Sequence, residues 1–189
     1  MADGNSGKDM VSVLVTDHHE IKDYFKQLEA AQDPKQRRDI ADALTAEVVR
    51  HSVAEEMYLY PAAREKLPNG DQLVDEELSE HAEAEQLLKD WEGVSGDDPE
   101  FMRLYEKIKE GLLHHIDEEE EPKLFPEMQA ALTPEELLDL GEQITRAKKL
   151  APTRPHPSAP DEPPGDKVLG VPMGLIDRIR DKMSGRSTG

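Results

Sequence analysis

An all-α fold is predicted by three features of this 189-residue chain. Apolar residues recur with the 3.6-residue period of a helix along four long stretches, the breaks between them carry proline, glycine and asparagine, and no stretch reads as a strand. Amphipathic helices joined by short turns pack most simply as an antiparallel up-down four-helix bundle. A short extra helix and a proline-rich tail complete the expected architecture.

The first helix is expected from about Asp9 to Ala31, with Val11, Leu14, Val15, His18, Ile21, Phe25 and Leu28 along one buried stripe. Gln32-Asp33-Pro34 breaks it. A second helix, about Lys35 to Lys66, buries Ile40, Leu44, Val48, His51, Glu55, Tyr58 and Ala62 and ends at Leu67-Pro68-Asn69-Gly70. Pro61 falls inside that pattern and is expected to kink or end the helix about one turn beyond Glu55. The third, about Asp71 to Trp91, presents Val74, Leu78, His81, Glu85, Leu88 and Trp91 before Gly93, Gly96 and Pro99 break the chain. The fourth, about Pro99 to Lys123, aligns Phe101, Leu104, Ile108, Leu112, His115 and Glu119, with Pro122 and Pro126 disturbing its end. Thr133-Pro134-Glu135-Glu136 has the form of a capped helix start and leads the fifth helix to about Leu150. In a bundle of this kind the His51 and His81 motifs stand level. His81 lies nearer the third turn than His115 does, so a long loop or a late helix start has to absorb the difference.

Composition removes several function classes. A formal net charge of −19 opposes phosphate backbones, so nucleic acid is not an expected partner. The absence of cysteine excludes disulfides, thiolate zinc sites and iron–sulfur clusters, so any metal must take nitrogen and oxygen ligands. No apolar run is long enough to span a bilayer and the first residues lack the apolar core of a secretory signal; a cytoplasmic protein is expected.

Histidines recur about every thirty residues, at His18, His51, His81 and His115, and the last three each have glutamate four positions later, in His51/Glu55, His81/Glu85 and His115/Glu119. Residues four apart lie on one helix face, so each pair can aim an imidazole and a carboxylate at one interior point. One histidine in a helical stripe is ordinarily a hydrogen-bonded core residue. Seven such groups on the inner faces of four helices are another matter, because each unpaired buried carboxylate costs several kcal/mol. The lysines and arginines fall mostly on outer faces, so cations are the natural remedy. Imidazole with carboxylate suits iron, manganese or zinc, and seven ligands exceed one tetrahedral zinc. Two metals bridged by carboxylates, with a coordination position left open, fit the count. A ferritin-like site would need Glu-x-x-His, and a zinc protease HExxH; neither occurs.

The segments Asp17-His18-His19-Glu20-Ile21, His51-Ser52-Val53-Ala54-Glu55-Glu56 leading to Leu59-Tyr60-Pro61, His81-Ala82-Glu83-Ala84-Glu85, and His114-His115-Ile116-Asp117-Glu118-Glu119-Glu120 leading to Leu124-Phe125-Pro126 carry a resemblance. Over about residues 9–130 the chain resembles the hemerythrin-like, or HHE cation-binding, domain family. The resemblance implies a four-helix bundle holding two non-haem irons, with His18, His51, His81 and His115 as terminal ligands and Glu55 and Glu119 as bridging carboxylates. Two departures stand out. Oxygen-carrying hemerythrins have histidine where this chain has Glu85, and a longer histidine-to-aspartate spacing on the fourth helix than His115/Glu119. Glu85 is either a further ligand or a solvated or outer group; an anionic shell favours ferric iron over reversible oxygen carriage.

Around these residues, His114/Glu118 and His19 are expected at the surface, Asp117 to Glu121 as a mostly solvated acidic run, and Glu47 and Glu77 either as acceptors of a second ring N–H or as exposed helix glutamates. Tyr24, Tyr58 and Tyr105 are the candidate proton donors. The expected organisation is a flexible N-terminus over 1–8, the bundle and short helix over 9–150, a proline-rich linker over 151–165 and a short amphipathic tail over 166–189. Residues 166–185 suit docking on the bundle or a protein partner better than a membrane. The favoured function is reaction of a di-iron centre with peroxide, dioxygen or nitric oxide, with catalase-like peroxide decomposition as its enzymatic form. The alternative is a sensing module that signals metal or oxygen status through the tail without turnover.

Overall fold

In the computed structural model, which describes residues 7–158 together with Asp177, Asp181 and Lys182, all regular structure among the described residues is helical. Helix α1 runs Met10–Ala30, α2 Pro34–Ala54, α3 Tyr60–Lys66, α4 Gly70–Trp91, α5 Pro99–His114, α6 Phe125–Ala131 and α7 Pro134–Leu150. Two π-helical segments, Glu55–Leu59 and His115–Leu124, join α2 to α3 and α5 to α6 without a break in the helical path.

Local chemistry sets the ends. The side chains of Asp9, Asp33 and Asp98 accept from backbone N–H groups at the starts of α1, α2 and α5, and Thr133 with Glu136 forms a complete capping box on α7. Past the end of α4, Gly93 takes a positive φ of 78°, a conformation that costs other residues a Cβ clash. Arg38 donates to the carbonyls of Trp91 and Val94 and stacks over the Trp91 ring at 5.0 Å, which pins the 92–98 loop to α2. That loop absorbs the mismatch in motif heights, since His81 and His115 end level, with their Nε2 atoms 3.2 Å apart.

Pro61 and Pro126 do not end the helical path. Each stands second in an α-helix that follows a π segment, where Tyr60 N–H reaches the Glu55 carbonyl and Phe125 N–H that of Glu120, five residues back. The wider turn accommodates a residue that cannot donate its own N–H.

The core divides into two apolar clusters. One gathers Leu14, Leu59, Tyr60, Val74, Phe125, Met128 and Ile144; the other Ile21, Phe25, Leu44, Leu88, Trp91, Phe101 and Ile108. His18 falls between Leu14 and Ile21 on α1, and His81 between Val74 and Leu88 on α4, so the polar residues form a layer where the clusters meet. Helix α7 closes one side against α1 and α2. Residues 151–158 are irregular and lie against α4, where Arg154 pairs with Glu92 and Asp181. The rest of the expected linker and most of the 166–185 tail lie outside the described residues.

The close approach of α7 to α1 is at Gly141, where an added Cβ would collide with the Lys8 carbonyl oxygen and with backbone atoms of Asp9 and Met10 at 2.8 and 2.9 Å. Gly141→Ala gains about 1 kcal/mol of helix propensity. Backbone displacement should outweigh it, for a net loss of about 1–3 kcal/mol, measured by denaturant unfolding. An unchanged midpoint would contradict this packing.

Candidate metal centre

The polar layer holds four imidazoles and two carboxylates, all buried: His18, His51, His81, His115, Glu55 and Glu120. Every histidine turns Nε2 inward. Glu55 Oε2 lies 3.1 Å from His51 Nε2 and 3.7 Å from His81 Nε2, while Glu120 Oε2 lies 3.1 Å from His18 Nε2 and 3.5 Å from His115 Nε2. With the buried Glu77, the donor atoms fall into three overlapping groups capable of holding a cation, His18/His51/Glu55/Glu120, His81/His115/Glu55 and Glu77/His115/Glu120, each within 4.8 Å.

Every Nδ1 turns outward to a carboxylate. Asp17 receives His51 at 3.3 Å, Glu56 receives His81 at 2.9 Å, Glu80 receives His115 at 2.9 Å and Glu121 receives His18 at 2.9 Å. Glu77 Oε2 lies 3.0 Å from the same Nδ1 as a charge contact and, buried, has no hydrogen-bond partner of its own. An Nδ1–H held this way leaves the Nε2 lone pair pointing into the layer, the tautomer that metal ligation needs.

The layer is short of positive charge. Lys123 is engaged by Glu119, Lys22 by Asp117, and Lys148 by Asp17 and Glu47. Both oxygens of Glu55 and Oε1 of Glu120 are buried with no hydrogen-bond partner, which is costly unless a cation satisfies them. Protons partly stand in. Burial, then the charge of Glu120, pushes the Glu55 carboxyl well above the usual carboxylate range. Burial also opposes ionisation of Glu120, but His115, His18 and His51 together hold its pKa low. Of the facing imidazoles, burial and then His115 push His81 down to about 4. His115 is raised to about 10, since burial is outweighed by Glu120, Glu77 and Glu80. The donor set of imidazole nitrogen and carboxylate oxygen fits iron, manganese or zinc.

Two residues expected in the site stand outside this layer. Glu119 pairs at the surface with Lys123 at 2.7 Å, and its place is taken by Glu120. The π segment starting at His115 makes residue i+5, rather than i+4, the one that stacks on the histidine. Glu85, half-buried, accepts the backbone N–H of His156 at 2.7 Å and faces the chain beyond α7. Glu77 is buried beside His115 without a hydrogen bond to its ring, which bonds Glu80, and Glu47 binds Arg50 and Lys148. The acidic run is not uniformly solvated, for Glu120 is fully buried. His114 is 46 % exposed and His19 is exposed. Among tyrosines, sequence reasoning passed over Tyr60, whose buried hydroxyl lies 3.0 Å from His81 Nε2; Tyr105 instead donates to Glu29. The signal was present in Leu59-Tyr60-Pro61 and Leu124-Phe125-Pro126, which close the two π segments.

The chain belongs to the hemerythrin family: the hemerythrin HHE cation binding domain matches residues 9–129. It is 30% identical over 171 residues, 90% of this chain and 84% of the relative, to an uncharacterized hemerythrin-like protein of Schizosaccharomyces pombe. It is 26% identical over 147 residues to a DNA nickase of Nostoc, covering 77% of this chain and 41% of that protein. No solved structure matches it significantly. Family and donor clusters together make this a metal-binding protein.

Glu120→Gln should cost most of the bound metal after dialysis, while Glu119→Gln retains it; elemental analysis decides, and the reverse pattern would restore the four-residue spacing. Metal uptake should also release protons at neutral pH, because His115 and Glu55 must give theirs up to bind. Apparent affinity should therefore rise from pH 6 to pH 9. Calorimetry in buffers of different ionisation enthalpy measures the release.

Proposed function

We propose that this protein is a non-haem di-iron protein, built as an antiparallel up-down four-helix bundle over residues 9–150, that reacts with peroxide, dioxygen or nitric oxide. The observation that carries the reading is the six-donor layer with its partnerless carboxylate oxygens. His18 and His51 would hold one iron, His81 and His115 the other, with Glu55 and Glu120 shared between them. Iron is favoured over manganese or zinc by the family resemblance. A bound iron pair would supply reversible one-electron steps and an open coordination position.

The chain's own residues do the rest. Asp17, Glu56, Glu80 and Glu121 fix the orientation of the four imidazoles, so the cations meet a preformed frame. The two ends differ in their surroundings: the Tyr60 hydroxyl stands 3.0 Å from His81 Nε2, whereas Phe125 stacks on the His18 ring. On that difference we assign small-molecule binding to the His81/His115 end. Tyr60 stands there. Burial, then the charges of Glu120 and Glu55, pushes its phenol well above the ordinary tyrosine value, so it carries its proton at all physiological pH. With His81 Nε2 engaged by a cation, the hydroxyl is free to donate to a small molecule at that end, a role suited to peroxide cleavage.

A sensing role is favoured by one observation, the bond from His156 N–H to Glu85, one helical turn from His81, which ties the segment beyond α7 to the ligand-bearing helix. Tail mobility that is the same with and without iron would eliminate it. The net charge of −19 gives no support for carrying the nickase activity of the Nostoc relative over to this chain.

The purified protein should carry two irons per chain, show the absorption of an oxo-bridged ferric pair and consume peroxide. Tyr60→Phe should keep its iron and lose roughly a hundredfold in peroxide turnover. Iron-loaded protein inert to peroxide, dioxygen and nitric oxide alike would overturn the reading.

A further inference from the structure

A cleft of about 270 Å³ lies between α4 and α5. Its rim carries the exposed Glu83, Lys107 and Glu110, and its walls include Ala84, Leu87 and Gly111. Its lining also includes the buried His81 and His115, which carry two of the four imidazoles of the centre. The other end of the layer is covered differently. Phe125 stacks on the fully buried His18 ring at 5.6 Å, and Lys148 bound to Asp17 backs His51. The cavity on that side, lined by Lys8, Arg50 and Lys148, reaches Asp17 and neither histidine ring.

We propose that the α4/α5 cleft is the entrance through which a small uncharged molecule, of the size of peroxide or a diatomic gas, reaches the His81/His115 end of the centre. The proposal deepens the functional reading above and rests on it. Size sets only an upper bound: at about 270 Å³ the cleft falls just short of the roughly 300–1,000 Å³ of pockets for drug-sized ligands and admits peroxide or a diatomic gas with room to spare. Charge follows from the rim, where Glu80, Glu83 and Glu110 outnumber Lys107, on a chain already at −19. Position follows from the lining, because the cleft reaches His81 and His115 while the cavity on the other side reaches neither His18 nor His51.

Gly111 is the residue through which to test it. A Cβ built there meets nothing within 4 Å, so a side chain can grow into the cleft without displacing the core. Replacing a mid-helix glycine also improves helix propensity.

The probe is nitric oxide mixed with ferrous-loaded protein, followed by stopped-flow absorption. Gly111→Phe should slow association at least tenfold with iron content and thermal midpoint unchanged, and Gly111→Ala should leave it near that of the unsubstituted protein. Should Gly111→Phe lose its iron, Ala84→Leu on the facing wall replaces it as the deciding variant. A fully iron-loaded blocking variant that binds nitric oxide at the original rate overturns the entrance while leaving the di-iron reading intact. Unsubstituted protein that holds iron and reacts with none of the three small molecules overturns that reading and the entrance with it.

Discussion

Two carboxylates buried in the middle of an apolar bundle, with no lysine or arginine in the layer to meet them, are the constraint on which this structure turns. Burial of an unpaired charge costs several kcal/mol, and both carboxylates are buried, Glu55 within reach of all four imidazoles and Glu120 within reach of His18, His51 and His115. The metal-free layer relieves the cost by titration: Glu55 is pushed toward its neutral form, while Glu120 stays ionised against His115. Cations would replace those protons. Metal binding and folding are thus coupled through a single layer, with an apolar cluster above and another below it.

The outer carboxylates give that layer its rigidity, and their placement has a pattern. Asp17 is the chain neighbour of His18 and serves His51; Glu56 is the neighbour of Glu55 and serves His81. Glu80, beside His81, serves His115, and Glu121, beside Glu120, returns to His18. Each helix therefore orients the histidine of the next, and the ring closes around the bundle. A local shift of one helix would be felt by two imidazoles, its own and its neighbour's.

Much of this was legible in the sequence. Helical periodicity located the four stripes to within a residue or two, and the same stripes put His18, His51, His81, His115 and Glu55 in one interior layer. Spacing failed where the helix is not an α-helix. From His115 to Leu124 the chain is π-helical, so a four-residue template selects Glu119, which lies against Lys123, and misses Glu120 by one residue. At Glu85 the template failed for another reason: the helix is regular, but the backbone N–H of His156 draws the carboxylate to the segment beyond α7, a contact seventy-one residues distant in sequence. Tyr60 was hidden because Pro61 read as an interruption, when the π segment before it keeps the helix continuous and turns the phenol inward.

The two π segments also account for the inequality between the ends of the centre. The first, Glu55–Leu59, carries Tyr60 to the ring of His81, and the second, His115–Leu124, brings Glu120 under His18 and Phe125 over it. One irregularity therefore places a phenol at the His81 end, and the other brings a buried carboxylate and an aromatic cover to the His18 end. Two regular α-helices at these places would move every side chain beyond them by about 100° for each residue of offset. Tyr60 and Glu120 would both leave the layer. The insertions that defeat a simple spacing rule are what make the two ends of the layer chemically unequal, one carrying a phenol beside His81 and the other an aromatic ring against His18.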